Sequence, residues 1–343
     1  MVGHRLARTI RTVLALAASA ALAPAAAAAE GPHKVMMVLW RGCEDACQGF
    51  QEHLRSKDAS IEFLLRDVNQ DATQLPGLVR EARALAVDLV VTWGTTATLG
   101  IVGEYDKADP DRYLTDIPVL FMIVTDPLEA RVVQDLDRPG RNVSGTLYLV
   151  PEDVQMRAIR SYLPFDKLGM IYNTNEVNAV ISADKIRKIA VEQGFQVVAR
   201  EVPNDAGGKP IVDSLAGLIG ELAEERVDLI YIGSSSFIVL NRDVFTRTAV
   251  ERGLPVAAAG EVAVVESDAL MGLVSRYHTV GQLTAARAEE ILSGGKQPAE
   301  IAVESLSRYS FLVNMDVARR LGRYPPMTLL NIAEVVKAPQ ESR

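Results

Sequence analysis

The sequence has few of the residues that enzymes commonly use for catalysis and metal binding. Its 343 residues include 2 cysteines and 4 histidines, and neither type occurs at the spacing of a zinc site or of a C-x-x-C redox motif. No G-x-S-x-G, Walker A or G-x-G-x-x-G segment follows an apolar run that would form a strand. The sequence therefore predicts no metal site, no cofactor and no catalytic activity.

The chain also lacks an excess of basic residues and a second long apolar run. Its formal net charge is −8, whereas nucleic acid binding needs clustered Lys and Arg, so we expect no nucleic acid partner. The apolar stretch Val13 to Leu22 follows three arginines and precedes the alanine-rich segment 25–29, which is the pattern of a cleavable secretory signal. We expect residues 1–29 to be a signal peptide cut near Ala29 and Glu30, and the mature protein to be a periplasmic monomer.

Short apolar runs alternate with amphipathic stretches from Lys34 onward. The runs are Val35 to Trp40, Ile61 to Leu65, Leu89 to Trp93, Val119 to Val124, Leu168 to Tyr172, Phe195 to Ala199, Leu229 to Ile232, Pro255 to Ala258 and Leu270 to Val274. Most have no alternating polar residues, so both faces should be buried, as in parallel sheets covered by helices. This rhythm predicts an α/β protein with doubly wound, Rossmann-like sheets.

The two halves of the chain resemble each other. KVMMVLW from Lys34 is similar to KLGMIYN from Lys167, and VDLVVTWGTTAT from Val87 is similar to VDLIYIGSSSFI from Val227. Two similar units in an exported chain predict two lobes joined by a hinge around a central cleft. Ligands of such sheets bind outside the carboxyl ends of the strands.

Polar residues follow several of the predicted strands at this edge. Gly94 eases the turn from a strand into a helix, and the first N–H groups of that helix attract an anion. Thr95 and Thr96 in one half, and Ser234, Ser235 and Ser236 in the other, would then form two walls of one site. The alternative is that these hydroxyls only cap helices.

Other strand ends supply further candidate ligand-binding residues. Trp40 would stack on a flat ligand and Arg41 would pair with a carboxylate, and Glu261 would receive a cationic group. The remaining candidates offer polar or apolar contacts, and they are Thr125, Asp126, Tyr172, Asn173, Asn175, Asn178 and Phe237. Simpler readings exist for several of them, since Asp126 suits a helix cap, the asparagines suit turns and Glu261 suits a solvated first helical turn.

The two cysteines lie four residues apart in WRGCEDACQGF. In an oxidising compartment Cys43 and Cys47 would form a disulfide that fixes the first cleft loop. The alternative is two free thiols.

Several segments together resemble the substrate-binding proteins of ABC transporters that have the type I periplasmic binding fold, in the group that binds aromatic amino acids such as tryptophan. The segments are VTDPLEARVV from Val124, RPGRNVSGTL from Arg138, YNTNEVNA from Tyr172, RGLPVAAAGE from Arg252 and GQLTAARAEEILSGG from Gly281. The resemblance implies two lobes joined by three crossings, with one lobe at 30–147 plus about 278–302, the other at 148–277 plus about 303–335, and a tail at 336–343. That family often has an aspartate in the segment matching 234–236 and a serine at the position of Ala179.

We therefore predict a periplasmic solute-binding protein that captures a small polar or acidic solute, with an apolar body packed on aromatic side chains, and passes it to the membrane permease of an ABC importer. Two alternatives remain. The same fold would serve as the ligand-sensing partner of a sensor kinase, and a secreted α/β serine hydrolase would use Ser234 to Ser236 with His278 as a distant base.

Overall fold

A computed structural model describes residues 31–57 and 60–336. The predicted signal peptide at 1–29 and residues 337–343 of the predicted tail lie outside this part. No helix in the described ranges has the length and apolar character needed to cross a membrane.

Strands and helices alternate along most of the chain. The described strands are β1 Lys34–Leu39, β2 Glu62–Asp67, β3 Leu89–Trp93, β4 Val119–Val124, β5 Val143–Leu147, β6 Lys167–Tyr172, β7 Gln196–Glu201, β8 Leu229–Ile232, β9 Val256–Ala258, β10 Met271–Val274, β11 Glu304–Ser305, β12 Ser310–Asn314 and β13 Ala333–Val336. The described α-helices are α1 Asp45–Lys57, α2 Leu75–Ala84, α3 Thr95–Val102, α4 Glu152–Tyr162, α5 Val177–Gln193, α6 Leu215–Glu224, α7 Ser236–Leu240, α8 Arg242–Glu251, α9 Val262–Val265, α10 Tyr277–Leu292, α11 Met315–Leu321 and α12 Met327–Leu330.

The strands form two sheets with the same internal order. The first sheet runs β11-β5-β4-β3-β1-β2 and all its pairs are parallel. The second runs β13-β12-β10-β9-β8-β6-β7, and only the β10–β12 pair in it is antiparallel. In each sheet the first five strands follow the doubly wound order 2-1-3-4-5. The predicted fold of two Rossmann-like lobes is confirmed, and the sequence similarity between the halves corresponds to this repeated topology.

Continuous apolar runs form the central strands because helices cover both faces of each sheet. Every residue of β3 and of β4 is buried. The side chains of the first lobe form one large core around Trp93 and Phe121, and those of the second lobe form two cores, around Tyr231 and around Phe245.

Helix α10 returns to the first lobe late in the sequence and packs along α1. Two glycines allow this close approach. A Cβ atom at Gly49 would collide with the backbone of His278, and one at Gly281 would collide with the backbone of Ala46.

The chain passes between the two sheets three times. The passages follow Leu147 of β5, Val274 of β10 and Ser305 of β11. Glu304 and Ser305 pair with Thr146 and Leu147 of the first sheet, so the third passage lies a few residues after the expected boundary near 302. Val336 belongs to β13 and pairs with Asn314, so the first residue of the predicted tail is part of the second sheet.

Candidate ligand-binding cleft

A cavity lies between the lobes at the carboxyl ends of β1, β3 and β8. These ends flank the point in each sheet where the strand order reverses, which is where doubly wound sheets bind ligands. The cavity has about 570 Å³ of free space when the part open to solvent is counted. Its principal side chains are Trp40, Arg41, Trp93, Thr95, Thr96, Ile123, Tyr148, Asn178, Ser234, Ser235, Ser236, Val239, Val262 and Tyr277.

Gly94 shapes the wall from the first lobe. It adopts φ +95° as the residue before α3, a conformation that favours glycine, and a Cβ there would lie 3.3 Å from the Cβ of Trp40. The hydroxyl of Thr95 accepts a hydrogen bond from the backbone N–H of Thr125 at 3.0 Å. The first N–H groups of α3 have no partner within the helix, and Thr95 and Thr96, which carry two of them, line the cavity.

Ser235 organises the wall from the second lobe. It caps α7 by accepting from the backbone N–H of Ile238 at 3.2 Å, and it donates to Oε2 of Glu176 at 2.5 Å. The backbone N–H of Phe237 donates to Oε1 of the same carboxyl group at 3.0 Å. Burial raises the pKa of Glu176, while these hydrogen bonds and the charge of Arg41 act in the opposite direction.

Ser234 connects the two lobes through buried hydroxyl groups. Its Oγ lies 2.5 Å from Oγ1 of Thr125 and 2.7 Å from the hydroxyl oxygen of Tyr148, and Oγ1 of Thr125 is 3.1 Å from the Tyr148 oxygen. The side-chain amide of Asn178 donates to the carbonyl oxygen of Ser234 at 3.0 Å. We call Thr125, Tyr148 and Ser234 the hydroxyl cluster. Because its members come from both lobes, the cleft is closed in this structure.

An ion pair between Asp126 and Lys185 also joins the lobes. Burial alone would raise the pKa of Asp126, but hydrogen bonds from Lys185 and from the backbone N–H groups of Leu128 and Glu129 lower it overall. This pair lines a separate groove beside the first passage between the lobes. Asp126 therefore contacts the opposite lobe and does not line the cavity.

Trp40, Arg41 and Trp93 form an aromatic and cationic corner of the cavity. The guanidinium carbon of Arg41 lies 4.8 Å from the centre of the Trp93 ring. Glu44 faces the guanidinium with oxygens 2.8 Å from Nε and 3.1 Å from Nη2. The indole N–H of Trp93 is buried and has no hydrogen-bond partner within the described residues.

The structure brings eight of the predicted site residues together around the cavity: Trp40, Arg41, Thr95, Thr96, Asn178, Ser234, Ser235 and Ser236. Thr125 lies directly behind them in the hydroxyl cluster. Asn173, Asn175 and Phe237 lie further out and line the mouth of the cleft, a larger opening that shares Trp40 and Thr96 with the cavity.

Tyr172 and Glu261, like Asp126, lie outside the cavity. The hydroxyl of Tyr172 donates to Glu201 at 2.8 Å, and the guanidinium of Arg187 covers its ring. Glu261 accepts from the backbone N–H of Tyr277 at 2.5 Å and pairs with Nε of Arg276 at 2.6 Å, so its carboxylate is occupied within the protein. It therefore lacks the free carboxylate that a cationic ligand group would need.

Sequence reasoning missed six of the principal side chains of the cavity, two of which are Val239 of α7 and Val262 of α9. Trp93 is the last residue of a fully buried strand, and its apolar side chain does not indicate a binding site. Tyr148 begins the first passage between the lobes and Tyr277 follows the second, and their rings meet edge to face with their centres 5.8 Å apart. Ile123 reaches the cavity where the register of β4 shifts, and it has φ +57°, a strained value for a β-branched residue. A single sequence contains no pattern that predicts this irregularity.

Cys43 and Cys47 are joined by a disulfide with their Cα atoms 5.1 Å apart. The side-chain amide of Gln51 donates to both sulfur atoms. The bridge closes the loop between β1 and α1, next to Arg41.

Nε2 of His278, the base that a hydrolase would require, lies 2.9 Å from a carboxylate oxygen of Glu52, whereas the hydroxyl of Ser235 is engaged with Glu176.

Comparison with known proteins agrees with this architecture. A curated "Tyrosine-binding protein" of Clostridioides difficile is 30% identical over 207 residues, which cover 60% of this chain and 57% of the relative. The chain thus spans less than two thirds of that relative.

Solved structures also match over most of the chain. A Streptococcus pneumoniae ABC domain in complex with L-Trp has a TM-score of 0.76 and 22% identity, covering 89% of this chain and all of the other. A ligand-free, open substrate-binding protein from Clostridium difficile has a TM-score of 0.67 and 23% identity, covering 89% of this chain and 99% of the other. These likenesses support the type I periplasmic binding fold. Residues 35–337 match the model of the family described as ABC transporter substrate binding protein, and the chain belongs to that family.

Proposed function

We propose that this protein captures a small solute in the cavity between its lobes and passes it to the membrane permease of an ABC importer in the periplasm. The observation that carries the proposal is the convergence of strand ends from both sheets on one partly enclosed space. Trp40 reaches it from the first lobe, Tyr148 from the start of the first passage between the lobes, and Ser234 to Ser236 from the second lobe. A ligand there touches both lobes only when the cleft is closed, so binding would favour closure.

The lining indicates the general chemistry of the solute. Four aromatic side chains border the cavity, namely Trp40, Trp93, Tyr148 and Tyr277, and none is more than 8% exposed. Such a lining suits a flat apolar body. Hydroxyl groups and the first N–H groups of α3 suit a polar or acidic head group. The names of the relatives, which bind L-Trp and tyrosine, support a ligand with an aromatic body.

A defined set of compounds tests the proposal. The panel contains L-tryptophan, L-tyrosine, L-leucine, myo-inositol, indole-3-propionate and indole-3-propionamide, and we call the member that binds most tightly the panel ligand. We expect at least one member to bind one to one in calorimetry and to stabilise the protein by about 2.7 kcal/mol at 100 times its dissociation constant.

Filling the cavity should abolish that binding. Thr96 is half-buried and lines the cavity, so Thr96→Trp would occupy the ligand's space. Thr248, also half-buried, lies in α8 and lines neither the cavity nor the mouth, and Thr248→Trp is the matched control. If no panel member binds, or if Thr96→Trp binds the panel ligand as tightly as Thr248→Trp does, the proposed function is wrong at this site.

A further inference from the structure

Several groups that line the cavity can donate hydrogen bonds to a ligand. The buried indole N–H of Trp93 has no partner in the described part of the chain. Nε of Arg41 is also buried without a hydrogen-bond partner among the described residues, although it lies 2.8 Å from a carboxylate oxygen of Glu44. The first N–H groups of α3 add further donors, and the hydroxyl groups of Thr96 and Ser236 can donate or accept. A buried donor without an acceptor destabilises the protein, so a ligand that supplies acceptors gains affinity at each of these positions.

No carboxylate of the described residues lines this cavity. Glu176 is the nearest candidate, and it lies toward the mouth of the cleft. Its two oxygens accept hydrogen bonds from Ser235 and from the backbone N–H of Phe237. Glu44 lies on the other side of Arg41 and lines a different pocket. An ammonium group in the cavity would therefore be desolvated without a charged partner, which is strongly unfavourable.

We propose that the cavity selects an aromatic carboxylate without an α-ammonium group, held through its carboxylate by Arg41 and the indole N–H of Trp93. The inference rests on the proposed function and specifies the solute class of the same site. The planar guanidinium of Arg41 suits a carboxylate, and the rings of Trp40, Tyr148 and Tyr277, which suit an aromatic body, line the same cavity.

A pair of compounds that differ in one group tests the proposal. Indole-3-propionate is L-tryptophan without its ammonium group, and we expect it to bind at least tenfold more tightly in calorimetry at neutral pH. Indole-3-propionamide keeps the shape and removes the charge, and we expect it to bind at least tenfold more weakly than the acid.

Substitution of Glu44 gives a second test of how the ligand carboxylate is held. It competes with a ligand carboxylate for Arg41, so Glu44→Gln should tighten indole-3-propionate by about threefold to tenfold and leave the amide unchanged. The double variant Arg41→Gln with Glu44→Gln leaves no unpaired charge, which favours folding, and it should bind the acid and the amide equally. Circular dichroism and unfolding by urea would verify that both variants are folded.

Each result separates this inference from the proposed function. Binding of L-tryptophan as tight as or tighter than that of indole-3-propionate overturns the inference and leaves the solute-binding function standing. If myo-inositol or L-leucine is the only panel member that binds, the inference is likewise overturned and the solute-binding function stands. Failure of every panel member overturns the proposed function, and the inference with it.

Discussion

The hydroxyl cluster should determine how readily the lobes close, and Tyr148→Phe tests this directly. Tyr148 lies at the start of the first passage and packs in the core of the first lobe. The substitution removes its hydroxyl group, which lies 2.7 Å from Ser234 in the second lobe. Ser234 keeps Thr125 as a partner at 2.5 Å, so no buried group loses all its hydrogen bonds. The loss is then that of one neutral hydrogen bond, about 1 kcal/mol. Because this bond exists only when the lobes meet, the affinity for the panel ligand should fall about fivefold.

Two further variants show whether closure is the cause. Thr125→Val removes another bond of the cluster, and Thr125 does not line the cavity, so an equal fall in affinity would not come from lost ligand contact. Tyr162→Phe is the matched control. The hydroxyl of Tyr162 donates to the carbonyl oxygen of Arg323 at 2.7 Å within the second lobe, so this change should lower the free energy of unfolding by about 1 kcal/mol and leave affinity unchanged.

Calorimetry gives the affinities, and urea unfolding without ligand gives the stabilities. We expect Tyr148→Phe and Thr125→Val to change affinity with little effect on the unfolding of the ligand-free protein. If both behave like Tyr162→Phe, with lower stability and unchanged affinity, the hydroxyl cluster does not act in closure and the reasoning is refuted.

Three other predictions concern charge, pH and the disulfide. Asp126→Asn removes the ion pair with Lys185, which is worth about 1 kcal/mol, so the affinity for the panel ligand should fall about fivefold at pH 7. Because the pKa of Asp126 is lowered, the difference in affinity between variant and wild type should disappear as the pH falls below the ordinary value of 3.8. A difference in affinity that does not change with pH would contradict this prediction. Glu176→Gln removes a carboxyl group whose pKa is raised above 4.5 by burial. The free energy of unfolding of the wild type should therefore fall as the pH rises from 4.5 through the raised pKa, and that of the variant should fall less, as measured by urea unfolding at each pH. An equal pH dependence in the two proteins would contradict this prediction. Replacing Cys43 and Cys47 by serine should lower the free energy of unfolding by about 2 kcal/mol for so short a loop, and equal urea midpoints for the variant and the oxidised wild type would contradict this.

Much of the fold could be predicted from the sequence because the central strands are buried on both faces. The run Val119 to Val124 contains only apolar residues, and it forms β4. Strand β5 was missed because Ser144 and Thr146 interrupt its apolar pattern. These two hydroxyl groups are buried and bonded, one to the carbonyl oxygen of Ile301 and the other to Thr284. Their partners lie about 140 to 160 residues away in the sequence, so local pattern cannot reveal them.

The site could be predicted in part, for a related physical reason. The carboxyl ends of parallel strands meet at one edge, which explains why Thr95 and Ser235 face the same cavity. The same rule does not tell which polar residue already has a partner in the protein. Asp126 and Glu261 are engaged by Lys185 and Arg276, and these pairs depend on how helices of the second lobe approach.

The central claim is that one small solute binds between the lobes in the cavity described above. A crystal structure of the protein with the panel ligand tests it most directly. The account predicts electron density for the ligand between residues 94–96 and residues 234–236. For indole-3-propionate it predicts the carboxylate within 3.2 Å of the indole nitrogen of Trp93. Density for the ligand at any other place, with this cavity empty, would contradict the account.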